Sequence, residues 1–163
     1  MRFFLFIWTI TTFALPARAG ERGLVWTSFD EGMDRARRED LPVLVDVYTD
    51  WCGWCKTMDS KTYGDEKVAK YLNERFVLIK LNPEKDGTIT YKGKIYEASY
   101  FSQAIGVNGY PATAFFESNE DLVTLVPGFV NAVEFLKILE FIGDKYYQKM
   151  TYPDFLKSKG YSD

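Results

Sequence analysis

Both cysteines of this 163-residue chain fall in one short stretch, Trp51-Cys52-Gly53-Trp54-Cys55-Lys56. Two thiols at that spacing can pass between dithiol and disulfide and so carry a pair of electrons. A structural staple explains them poorly, because a cross-link stabilises in proportion to the loop it closes, and this one closes almost nothing. A structural zinc site needs a full set of Cys and His ligands, and the chain has 2 Cys and 0 His. Redox exchange is the chemistry that this spacing serves.

What precedes the pair bears on where it works. Arg2, the apolar run Phe3–Leu15 and the small-residue pattern Ala17-Arg18-Ala19 read as an export signal, residues 1–19, cleaved before Gly20. The run is broken by Thr9, Thr11 and Thr12 and falls short of the roughly twenty residues of a spanning helix. Residues 20–163 then form one domain, with 47% apolar residues to build its core. A net charge of −3 and no basic stripe argue against nucleic acid as a partner. An exported chain whose only cysteines form one CxxC has no disulfide framework, so the pair reads as a working site.

The elements that must hold the pair follow from the pattern. Ser28 with Glu31 reads as a capping box, opening a helix over 28–39 in which Phe29, Met33 and Ala36 share a face. Val43-Leu44-Val45-Asp46-Val47-Tyr48 is a β-favouring run typical of a central strand covered on both faces. Thr49-Asp50 turns out of it into a helix running from Cys52 towards Ser60. A helix over 65–73 and a strand over 76–81 follow, and residues 86–97 read as a small hairpin turning at Lys92-Gly93. Next come a helix over 99–105, strands over 112–117 and 122–126, and a long helix capped by Asn131 and Glu134. Phe135, Leu139, Ile142 and Tyr146 form its core stripe, and a short helix begins near Pro153. Strand–helix–strand implies parallel pairing through a right-handed crossover, whereas the later strands, joined by a short turn, pair antiparallel. The fold class is α/β, a central mixed sheet flanked by helices.

Three segments in order resemble the thioredoxin superfamily. Leu44–Lys56 resembles its strand, active-site turn and helix, Ile79-Lys80-Leu81-Asn82 its next strand, and Ile105–Phe116 its cis-proline loop and following strand. Pro127-Gly128-Phe129 stands where the family often has a glycine before its last helix. The likeness spans about residues 24–145. With the export signal, Asp50-Trp51-Cys52-x-x-Cys55-Lys56 is most similar to periplasmic thioredoxin-like reductases. Cys52, at a predicted helix N-terminus, is the expected nucleophile, because the helix start favours its thiolate. Cys55, one turn on and more buried, is expected to resolve the mixed disulfide. The resemblance implies that Asp46 is a buried acid that takes the Cys55 proton, that Lys80 lies near it, and that Pro111 is cis. The Tyr110 backbone would then pair with an extended substrate segment. Trp51, Gly53, Trp54 and Tyr110 would form the surface that meets a partner polypeptide. The chain departs from the family in carrying Trp54 where proline is frequent, and in the extra 86–97 hairpin, which suggests a partner surface of its own.

The expected function is a periplasmic thiol–disulfide oxidoreductase that reduces disulfides of exported proteins and is recharged by a membrane electron donor. It would act as a monomer and need no cofactor beyond the Cys52–Cys55 disulfide. The alternatives are a disulfide oxidase or isomerase using the same cysteines, and a thioredoxin-fold binding module without turnover. Strongly oxidising relatives often carry His between the cysteines; Gly53-Trp54 favours reduction.

Overall fold

A computed structural model of the chain describes residues 23–161, so the export signal expected over 1–19 lies outside the described residues. Along the chain run β1 (Trp26–Thr27), α1 (Phe29–Glu39), β2 (Val43–Val47) and α2 (Gly53–Met58). A π-helical turn, Asp59–Tyr63, continues into α3 (Glu66–Arg75), and β3 (Val77–Leu81) follows. The hairpin strands β4 (Thr88–Tyr91) and β5 (Lys94–Glu97), α4 (Ala98–Ala104), β6 (Ala112–Phe116) and β7 (Leu122–Pro127) come next. The chain closes with α5 (Ala132–Gly143), a 3₁₀ turn (Tyr146–Gln148) and α6 (Tyr152–Ser158).

The main sheet is ordered β1-β3-β2-β6-β7, with β1–β3 and β3–β2 parallel and β2–β6 and β6–β7 antiparallel. It is the thioredoxin arrangement, a mixed sheet with helices on both faces. All five residues of β2 are buried, as a central strand requires. Alternation along the pleat sends Val43, Val45 and Val47 into the core under α1 and the hairpin, and Leu44 into the core with Met58, Leu72 and Phe135. Asp46 shares the Leu44 face. That parity puts a carboxyl on the side of the sheet from which α2 carries the cysteines.

Several boundaries differ from the pattern reading. Strand β1 went unread because two half-buried residues carry no periodicity. The Ser28–Glu31 capping box does not form: the Ser28 hydroxyl donates to the Glu31 carboxylate at 2.8 Å and caps no backbone N–H. Asn131 does cap α5, accepting the Glu134 N–H at 3.1 Å. Tyr146 leaves the α5 stripe, since the helix ends at Gly143 and the residue sits in the following 3₁₀ turn. Nor does the hairpin stand free. Lys92 (φ 49°) and Gly93 (φ 72°) make its turn, Ile89 is buried in the core, and the Thr90 N–H donates to Asp30 on α1 at 2.7 Å.

Candidate active site

The chain leaves β2 through a turn in which the Thr49 carbonyl accepts the Cys52 N–H at 3.2 Å. That turn makes Cys52 the N-cap of α2, and its sulfur accepts the Cys55 N–H at 3.0 Å. The two sulfurs are joined as a disulfide. A helix start leaves N–H groups without intrahelical partners, so sulfur here does the work of a Ser or Asp cap. Once the pair is reduced, the same donor and the helix dipole favour Cys52 as thiolate. The expected contrast in exposure is absent, because Cys52 is 4% and Cys55 3% exposed in the disulfide. What separates them is position: Cys52 caps the helix, while Cys55 borders a cleft of about 330 Å³ lined also by Tyr48, Thr49, Asp50, Lys56 and Asp59.

Sheet register assembles the charged group behind them. Asp46 stands opposite Lys80 on β3 and Thr113 on β6. Its carboxylate accepts from Lys80 Nζ at 2.6 Å and from the Tyr63 hydroxyl at 3.3 Å, and the residue is 1% exposed. Burial pushes the Asp46 carboxyl up, more than the neighbouring Lys80 charge pulls it down. Burial lowers the Lys80 ammonium, but Asp46 and Asp59 outweigh it and the net shift is upward. Lys80 also donates to Asp59 at 2.5 Å and lies within 4.9 Å of the Trp26 and Tyr48 ring centres. Burial and the Asp46 charge push the Tyr63 phenol well above its ordinary value.

Asp59, Tyr63, Tyr48 and Trp26 are the members that pattern reading missed. The π-helical turn is the reason for two of them. Asp59 and Tyr63 are the first and last residues of that turn and both reach the Asp46–Lys80 pair; such turns recur at functional sites. The one available signal was Asp59 standing a helical turn beyond Cys55. Lys80 is no ordinary exposed strand residue, as its ion pairs and rings demonstrate.

The outer face is aromatic. Trp51 and Trp54 are 67% and 62% exposed. Trp51 meets the Tyr110 ring edge-on at 5.9 Å, and its indole N–H donates to the Glu84 carboxylate at 3.0 Å. Trp54 lies over Phe129 at 5.4 Å. A Cβ at Gly53 would meet nothing within 4 Å, so the ground before α2 is open. The Tyr110–Pro111 peptide bond is cis. Among the described residues no group of His, Cys, Asp and Glu could hold a metal ion.

A capped CxxC disulfide at the head of α2, beside the central strand of this sheet, defines the class: a thiol–disulfide oxidoreductase of the thioredoxin superfamily. Over residues 17–156 the chain matches the family Thioredox_DsbH, described as a protein of unknown function, DUF255, and it belongs to that family. It is 31% identical over 110 residues to the thiol:disulfide interchange protein DsbD of Yersinia pestis, covering 64% of this chain and 16% of that protein. The chain thus spans about a sixth of that relative's length. Among solved structures it resembles the C-terminal domain of Neisseria meningitidis DsbD in the reduced form. There the TM-score is 0.52 and the identity 29%, over 68% of this chain and 90% of that one. A thioredoxin from Thermus thermophilus shares the fold, with TM-score 0.62 and 22% identity over 74% and 88% of the two chains.

Proposed function

We propose that the protein reduces disulfides of exported proteins in the periplasm and is recharged by a membrane electron donor. The observation that carries this reading is the sulfur-capped head of α2, where Cys52 accepts the Cys55 N–H with no charged residue between the cysteines. Likeness to DsbD, a thiol:disulfide interchange protein, supports the compartment and the kind of partner. Export would proceed by cleavage before Gly20.

Reduction runs in two exchanges. The Cys52 thiolate attacks one sulfur of the substrate disulfide, and the other substrate sulfur leaves with the electron pair and takes a proton. Asp46, buried behind the pair with its carboxyl raised above the ordinary value by burial, takes the Cys55 thiol proton. The Cys55 thiolate then attacks Cys52 Sγ, the disulfide re-forms, and the second substrate sulfur leaves reduced. Lys80 stays charged and steadies the ionised carboxyl. Trp51, braced by Glu84 and Tyr110, frames the approach, while Trp54 and the open ground at Gly53 meet the partner. The backbone beside cis-Pro111 pairs with an extended segment of it.

Equilibration with glutathione tests the direction. A potential near the roughly −270 mV of reducing members of this fold is expected; one above about −150 mV would make the protein an oxidase.

A further inference from the structure

The Cys55 cleft holds one polar group that the steps above leave idle. Thr49 is 1% exposed, and its hydroxyl is buried with no hydrogen-bond partner in the protein. A buried hydroxyl left unpaired is costly, and such groups in native proteins call for an explanation. Packing gives none, since valine would fill the same space without the cost. The backbone fixes the residue in place, because its carbonyl holds the Cys52 N–H, and Thr49 is among the residues around the cleft that Cys55 borders.

Most of the charged and titratable groups around that cleft are otherwise engaged. Tyr48 and Asp50 come from the turn after β2, and Asp50 binds Asn82 and Lys85. Lys56 comes from α2, and Asp59 from the turn after it is bound to Lys80 of β3, which in turn holds Asp46, itself bound by Tyr63. The Thr49 hydroxyl is the buried donor without an acceptor, and Cys55 is the neighbour whose chemistry changes.

We propose that Thr49 donates a hydrogen bond to the Cys55 sulfur once the disulfide opens, and so holds that sulfur as the thiolate that resolves the mixed disulfide. In that step the Cys55 thiol loses its proton, the S–Cys52 bond forms, the Cys52–substrate bond breaks, and the substrate sulfur departs with the electron pair. A donor to the thiolate favours the charged form. The bond exists only in the dithiol form, so it also stabilises that form and makes the protein easier to reduce.

Thr49→Val removes the hydroxyl and keeps the shape; Thr49→Ser keeps the hydroxyl. In Thr49→Val, mixed-disulfide resolution is expected to slow about tenfold at pH 7 and its pH midpoint to rise, the size of one lost charge-assisted hydrogen bond. The glutathione equilibrium shifts by about the same factor towards the disulfide. The first attack by Cys52 is unchanged, and the oxidised variant unfolds in urea no earlier than wild type. Thr49→Ser behaves within about twofold of wild type on that scale. Unchanged resolution and an unshifted pH profile in Thr49→Val overturn the proposal, as does equal impairment of both variants, which would mean packing. The inference rests on the oxidoreductase reading. An unreactive wild-type pair would sink both, whereas a reactive wild type with an indifferent Thr49→Val sinks this one alone.

Discussion

Two clusters in this molecule share their ingredients and differ in one condition. Behind the cysteines, Asp46 binds Lys80. Between the hairpin and the β6–β7 turn, Asp121 binds Lys92. Each is a carboxylate in contact with a lysine ammonium, yet the carboxyls move in opposite directions. Asp46 is pushed up because burial outweighs its partner; Asp121 is pulled down by the Lys92 hydrogen bond, with little burial to oppose it. The Asp46 side chain is 2% exposed and that of Asp121 59%. An ion pair therefore says nothing about reactivity until its access to water is known.

The comparison breaks most readily at Asp46. Asp46→Asn is expected to slow resolution about 100-fold, a typical contribution from a positioned base, with the Cys52 attack largely intact; stopped-flow turnover separates the two. Folding raises this carboxyl above its unfolded value, so the native state holds the extra proton. Stability then falls as pH rises from the unfolded to the folded pKa. Asn does not titrate, so the variant gains nothing below that interval and its full stabilisation above it. Urea unfolding at acid and neutral pH reads the difference. A variant less stable at both would make Asp46 a structural acid.

Lys80→Met tests the same pair from the other side. It leaves Asp46 buried with only Tyr63 to answer it, and orphaning a buried charge costs about 3 kcal/mol. Protonating Asp46 removes most of that penalty, so the loss shrinks as pH falls. A loss independent of pH would show that the lysine stem matters more than its charge.

The surface cluster has one enclosed member. Glu120, 6% exposed, accepts from Arg37 and from the Lys92 N–H, tying the hairpin turn to α1. Glu120→Ala leaves that N–H unpaired and is expected to cost about 1–2 kcal/mol. Faster amide exchange should be confined to β4 and β5, with the glutathione equilibrium unmoved. A changed equilibrium would mean that the hairpin is coupled to the redox site.

The same condition decided what could be read in the sequence. The cysteine pair, the β2 run and the hairpin turn are local signals, carried by spacing, β-branching and Lys92-Gly93, and they place the fold. The capped α5 was legible for the same reason. The charge network was not, because Asp46, Lys80 and Asp59 are far apart in the chain and meet only through sheet register and a π-helical turn. No periodicity announces that turn, so Tyr63 and Asp59 stayed hidden although the pair they serve was named through family likeness. The near-equal burial of Cys52 and Cys55 in the disulfide was not legible either, because exposure depends on what packs over the site and not on where the helix begins.

The smallest effect belongs to Asp121, and it is the sharpest check on the comparison. Its side chain is 59% exposed, and Lys92 beside it is half exposed. Exposed pairs exchange one set of solvated contacts for another and are screened by salt. The pull of Lys92 does lower the Asp121 carboxyl, so the pair's contribution is present above the unfolded carboxyl pKa and is lost as pH falls through the folded one. At neutral pH, Asp121→Asn is therefore expected to leave the urea midpoint within error of wild type and the resolution rate unchanged, since Asn119 still supports the turn through Asp121 N–H at 3.0 Å. The same measurements in high salt should show no further change. A stability loss like that of Lys80→Met would mean that the surface pair is shielded from water, and burial could no longer be the condition that separates the two clusters.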